Sequence, residues 1–169
     1  TPTDLLGMLR QTWPYVVLTH APDRPNAIYV GTATNDHKNL KQDTFRVVDM
    51  DTLVGACIHQ LECGIPVWFT CDVKFDFCAK HGIAATGLFN TPLLLGLDRR
   101  ADKINRMKAY CTAPGHAMLL TGVKLVNGKP VLWRIQNSWG KQQDYGEGFL
   151  TADHAWFKEY VFQAAVDAH

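Results

Sequence analysis

Three residues in the second half of the chain have types and spacing that could serve acyl chemistry: His116 in "GHAMLLTGV", and Asn137 and Trp139 in "WRIQNSWGKQQ". Cleaving an amide with a thiol needs a thiolate at neutral pH, an imidazole that holds the ion pair and later protonates the leaving amine, and a third group that fixes the imidazole. A neutral asparagine can be that third group. Its amide oxygen accepts the ring N–H that faces away from sulfur, and it adds no charge of its own. An indole two residues further on can lie over that hydrogen bond and keep water from competing for it. Singly, a histidine that opens a strand and an asparagine that precedes a turn are ordinary structural residues, so the chemical reading depends on whether the fold brings them together.

The elements around them are of the kind that would. "HAMLLTGVKLV" and "KPVLWRIQNS" are apolar, β-branched runs joined by Asn127-Gly128, the residue pair of a tight hairpin. Pairing them places the two ends remote from the turn side by side, His116 on one and Asn137 on the other. A glycine-rich connection then leads to "GFLTA", a short helical "DHAWFKEY" and a closing strand "YVFQAAVD", so the carboxy-terminal half is expected to be an antiparallel sheet. Further upstream, Leu53, Val54, Cys57, Ile58 and Leu61 fall at helical spacing, with Asp51 as the expected cap and Gly64 past the end. "IPVWFTCDV" reads as a strand buried on both faces. "YVVLTH" and "AIYVGT" read as a pair of strands joined by the turn "APDRPN", and Asn35 to Asp43 as an exposed connection. Between Lys74 and Leu97, "HGIAATGLFN" and "TPLLLG" suggest loop and short strand, and a charged helix is expected from near Asp98.

Bulk composition narrows the function classes. The chain has 169 residues, 47% of them hydrophobic, enough for one domain with a real core. Its 17 Lys and Arg nearly balance 16 Asp and Glu, a net charge of +1, so no global field draws it to nucleic acid or an acidic membrane. The densest basic cluster is Arg99, Arg100, Lys103, Arg106 and Lys108, the place to look for nucleic-acid binding. Five cysteines, an odd number, in a sequence without a basic-then-apolar leader or an apolar run near ~18 residues, indicate a reducing, cytoplasmic setting and no membrane span. Cys57-Ile58-His59 and Cys78-Ala79-Lys80-His81 lack the paired C-x-x-C doublets of zinc modules, so neither metal nor cofactor is expected. The chain opens on Thr1 and stops at His169 just after a strand-like run, which reads as a piece cut at both ends.

"HAM", "QNSWG" and the glycine-rich turn into "GFL" resemble the His and Asn blocks of papain-like cysteine peptidases. "PVWFTCDV", "GHAMLLTGV", "WRIQNSWG", "ADHAWFKEYVFQAAVD" and "YVVLTHAPDRPNAIYV" are similar, more narrowly, to the carboxy-terminal part of the bleomycin hydrolase and aminopeptidase C branch, so the resemblance spans roughly the whole chain. It implies an α+β fold: the antiparallel, barrel-like right-hand domain with a few packing helices, residues 1–169 forming one β-rich domain without the cysteine-bearing one. It also implies a cytosolic thiol aminopeptidase acting on peptide or amide substrates, a hexameric homo-oligomer, with His116 catalytic, Asn137 its orienting partner and Trp139 the shield. Gly115, Thr70, Gln136 and Phe149 stand where the family commonly has threonine, glycine, glutamate and tyrosine.

The nucleophile is missing from this picture. In papain-like enzymes the cysteine precedes the histidine by ~130 residues or more, and only 115 residues precede His116. None of Cys57, Cys63, Cys71, Cys78 and Cys111 carries the glycine-serine-cysteine-tryptophan type turn, and the family's oxyanion glutamine is also absent. The expectation is a His–Asn half-site, inactive alone, whose cysteine lies in an amino-terminal segment of the same protein. The alternative is a shortened, non-catalytic relative that serves as a binding module.

Overall fold

The structure, a computed structural model, describes residues 15–22, 27–31, 43–90, 93, 96, 101–139 and 147–168. Ten strands form one sheet in the order β2-β3-β1-β10-β4-β7-β8-β9-β6-β5. They are β1 Tyr15–Thr19, β2 Ile28–Gly31, β3 Asp43–Val47, β4 Val67–Cys71, β5 Phe77–Cys78, β6 Ile83–Ala84, β7 His116–Val126, β8 Lys129–Gln136, β9 Phe149–Asp153 and β10 Val161–Asp167. Helices α1 Met50–Glu62, α2 Lys103–Lys108 and α3 His154–Tyr160, with a single 3-10 turn at Ala79–His81, complete the described elements. The α+β class is as expected, while the strand order is open, with β2 and β5 at its two ends.

Strand β4 sits between β10 and β7, with Val67, Phe69 and Cys71 fully buried on one face and Thr70 buried and Trp68 half-buried on the other. This is why its sequence is almost uninterrupted in apolarity. Helix α1 buries Met50, Leu53, Val54, Cys57 and Gln60, one face at helical spacing. Gln60 ends that face with two tethers: its Nε2 donates to Pro66 O at 2.9 Å and its Oε1 accepts from Asp167 N at 2.7 Å. Helix α3 is set against the sheet by Phe157, whose ring stacks on Trp133 of β8 at 4.2 Å between centroids.

Several expectations need correction. β1 and β2 are not paired with each other. β3 lies between them, antiparallel to β2 and parallel to β1. That strand was hidden because it opens on polar Asp43 and Thr44, the first of which ends what reads as a connection. The cap of α1 is Asp49, whose carboxylate accepts Thr52 N at 2.7 Å, and Asp51 lies inside the first turn. The charged helix begins at Lys103 under an Asp102 cap, and Asp98 lies outside the described residues, as do most of 91–100 and most of the polar connection 35–43. The carboxy-terminal half is antiparallel except where β9 meets β6, which runs parallel to it.

The largest surprise is the basic cluster. Lys103 and Arg106 are turned inward and buried, while Arg99 and Arg100 lie outside the described residues. Lys103 Nζ donates to Val161 O, lies 2.8 Å from His20 Nδ1 and sits 4.5 Å from the Phe162 ring centroid. Arg106 donates to Glu159 Oε1 at 2.8 Å and to Glu159 O at 3.1 Å. Two of the five cations are therefore anchors of α2 and not a surface for phosphates.

Two predictions follow from this packing. Phe157→Ala should cost about 3–5 kcal/mol by urea denaturation, whereas Leu132→Ala on the solvent side of β8 should stay within about 0.5 kcal/mol. Burial lowers the Lys103 amine from 10.5 to about 7, with the nearby Glu159 opposing the shift and Arg106 adding to it. Between those values the unfolded chain binds more protons than the folded one, so this group makes stability rise with pH. The urea midpoint should rise from pH 7 to 8.5, a window above the titration of His20, whose imidazole burial lowers to about 4. Lys103→Met should flatten that rise.

Candidate active site

The β7–β8 hairpin closes at Asn127 and Gly128, both with positive φ (51° and 74°), the backbone that an Asn-Gly pair adopts at least cost. From there the ladder runs to Leu119↔Gln136. Continued past that last rung, the register would set Trp139 opposite His116, with Asn137 two residues nearer the turn, opposite Met118. The side chains follow this diagonal. His116 Nε2 lies 2.8 Å from Asn137 Oδ1, and since an amide oxygen can only accept, the ring proton is on Nε2. The Trp139 ring stands 4.7 Å from the His116 ring, tilted at 44°. Asn137 is 5% exposed and Trp139 46%, so the amide is buried while the indole that contacts His116 also reaches solvent.

Two neighbouring elements hold this arrangement. On the other edge of β7, His116 is the last rung of the ladder to β4, paired with Cys71. Past the end of β8, Asn137 N donates to Gly148 O at 2.8 Å. Glu147 and Gly148 both have positive φ there, so the chain enters β9 through a turn that aims this carbonyl back at the asparagine. A residue that sequence reasoning missed also joins the site: Phe77 of β5 meets Trp139 edge-on at 6.2 Å. Its segment offered no periodicity by which to place it.

With Nε2 committed to Asn137, Nδ1 is the ring nitrogen that remains for a second partner, which is the division a thiol–imidazole pair requires. The cysteines present do not supply that partner. Cys57 and Cys71 are fully buried, and burial pushes the Cys57 thiol up to about 12 and that of Cys71 higher, with Asp72 reinforcing the latter. Cys71, although in register with His116, is thus kept as a thiol. Cys63 is exposed at the C-terminal cap of α1. Cys78 follows Phe77 on β5, so it projects to the opposite face from the residue that meets Trp139. Cys111 is exposed, its Sγ donating to Ala109 O at 3.3 Å. A groove of about 560 Å³ is lined by His81, Lys124, Leu132, Arg134 and Phe149 among others, but by none of His116, Asn137 and Trp139. It is therefore separate from the candidate centre.

Among the described residues no helix is long and apolar enough to cross a membrane. Residues 10–169 match the family model described as "Peptidase C1-like family". The chain is 34% identical over 156 residues to Aminopeptidase E of Lactobacillus helveticus, covering 90% of this chain and 35% of that protein. It is 35% identical over 154 residues to Aminopeptidase G of Lactobacillus delbrueckii subsp. lactis, with the same coverage. The crystal structure of PepW from Lactobacillus rhamnosis HN001 superposes with a TM-score of 0.85 at 31% identity, over 91% of this chain and 35% of that one. The chain thus spans about a third of the length of the relatives it matches.

The geometry has a direct spectroscopic consequence. Ring nitrogen shifts of His116 should report a single tautomer protonated at Nε2. Asn137→Ala should mix the tautomers and cost about 0.5–1.5 kcal/mol of stability, while Trp139→Ala should keep the tautomer but speed exchange of its proton with water.

Proposed function

The chain belongs to the Peptidase C1-like family, and on that premise we propose that it carries the imidazole–amide half of a thiol aminopeptidase of the bleomycin hydrolase and aminopeptidase C type. The observation that carries this reading is the 2.8 Å bond from His116 Nε2 to Asn137 Oδ1, with the Trp139 ring against the imidazole. In this reading His116 is the general acid–base, Asn137 fixes its tautomer and orientation, and Trp139 keeps water off their hydrogen bond. The nucleophilic thiolate comes from outside these 169 residues, in an amino-terminal segment of the same protein. This accounts for five cysteines, none of them suited to attack, and for relatives of which the chain covers only 35%.

The thiolate adds to the substrate carbonyl, and the imidazolium passes the Nδ1 proton to the departing amine as the C–N bond breaks, leaving a thioester. Water, deprotonated by the now neutral imidazole, then releases the acid and restores the thiol–imidazole pair. Asn137 remains neutral throughout, so the imidazolium is steadied by an amide dipole without a competing anion. The substrate is a peptide or amide with a free amino terminus, the setting is cytoplasmic, and the assembly is a homo-oligomer, hexameric if it follows the branch it resembles.

The test is kinetic. In the complete protein, release of an aminoacyl fluorophore should fall about 10²–10⁴-fold in His116→Ala and less in Asn137→Ala, and residues 1–169 alone should show no turnover. Turnover by the isolated chain that depends on His116 would overturn the assignment of the nucleophile to another segment.

A further inference from the structure

Helix α2 and strand β7 are joined by Ala109 to Gly115, and along Cys111 to Gly115 every residue is exposed except Thr112. This connection delivers the chain to His116, yet it has little of its own to hold it. Tyr110 enters with a positive φ of 55°, Cys111 N donates to Arg106 O, and Gly115 N closes a tight turn onto Ala113 O. Those bonds are local. They set the shape of the connection but not where it lies against the sheet.

One contact does so. Thr112 Oγ1 donates to Asp72 Oδ2 at 2.7 Å, the short distance of a hydroxyl bonded to a carboxylate. Asp72 is 2% exposed and follows directly on Cys71, the residue paired with His116 in the β4–β7 ladder. Its second oxygen accepts Lys74 N at 2.9 Å, and its own N–H donates to Tyr160 O at 3.0 Å. The carboxylate is therefore locked by its backbone to the end of α3 and by its side chain to the turn after β4. A buried carboxylate with so few donors makes each of them count, since losing one leaves a desolvated charge unpaired.

We propose that Asp72 is a positioning residue for His116, acting through Thr112: the buried carboxylate pins the connection before β7, so that the imidazole at the strand's first residue holds its line to Asn137. The ladder alone constrains His116 poorly, because it is the terminal rung and terminal rungs fray. The Asp72–Thr112 bond extends the constraint four residues beyond that end. A misplacement of about 1 Å at an acid–base group can cost ~10²-fold in rate, which is why an outlying tether matters to chemistry. As far as rate is concerned, the inference rests on the reading of His116 as the catalytic imidazole. As far as geometry is concerned, it does not.

The test uses Thr112→Val, which removes the donor and keeps the shape, beside Thr112→Ser, which restores it. In the complete protein, Thr112→Val should replace the single Nε2-protonated signal of His116 by averaged tautomers and lower kcat about 10–100-fold, with KM within about twofold. Thr112→Ser should return both to within about twofold of the parent. Asp72→Asn, which keeps the size but not the charge of the acceptor, should fall between them, and it carries the test if Thr112→Val does not fold. Unchanged His116 ring signals in a folded Thr112→Val protein would overturn the positioning role. Altered signals together with full activity in His116→Ala would instead preserve the tether and remove the catalytic reading.

Discussion

Strand β7 is hydrogen-bonded along both edges, to β4 on one side and β8 on the other, and this double pairing sets the register on which the site depends. A one-residue slip against β8 would turn His116 to the opposite face from Asn137 and expose the row that includes Met118 and Leu120. Those two residues are buried beside Ile135 and Trp133, so the cost of slipping is a large part of the core. The hydrophobic register thereby enforces a polar contact. The 2.8 Å bond between His116 and Asn137 is held in place mainly by apolar residues further along the same strands.

At the rim, where the ladders end, apolar burial runs out and polar anchors take over. Asn137 N is caught by Gly148 O, and Asp72 holds the connection into His116. At the same end of the sheet, where Val161 pairs with Cys71 and Cys71 with His116, Lys103 and Arg106 fasten α2 through Val161 O, His20, Glu159 and aromatic faces. Buried cations are expensive unless each donor finds an acceptor or a ring. Here most do, although Arg106 Nε is buried without a partner among the described residues. The same interaction set draws two of the five cations of a cluster that looks basic in sequence away from the surface.

The arrangement is chemically asymmetric. The imidazole has its tautomer selected, its far nitrogen occupied and an indole across its face, yet no cysteine in the chain combines exposure with access to its free nitrogen. Under the proposed function, such preorganisation is what would stabilise an imidazolium formed by proton transfer from a neighbouring thiol.

The sequence by itself determined the local elements and the identity of the pair. Period-two apolarity with Asn127-Gly128 specified the β7–β8 hairpin, helical spacing specified α1, and the residue types His, Asn and Trp specified what the hairpin's open end could do, because each of these signals is carried by neighbours in the chain. What depends on partners distant in sequence was not legible. β3 became a strand through pairing with β1 and β2, Asp49 displaced Asp51 as a cap by the direction of the entering chain, Phe77 reached Trp139 across the sheet, and Lys103 turned inward to an acceptor on β10. Asp72 is the clearest case. In sequence it is one acidic residue after a buried strand, and only the tertiary structure, by setting the end of β4 against the connection into β7, made it a tether for the residue that the sequence had already singled out.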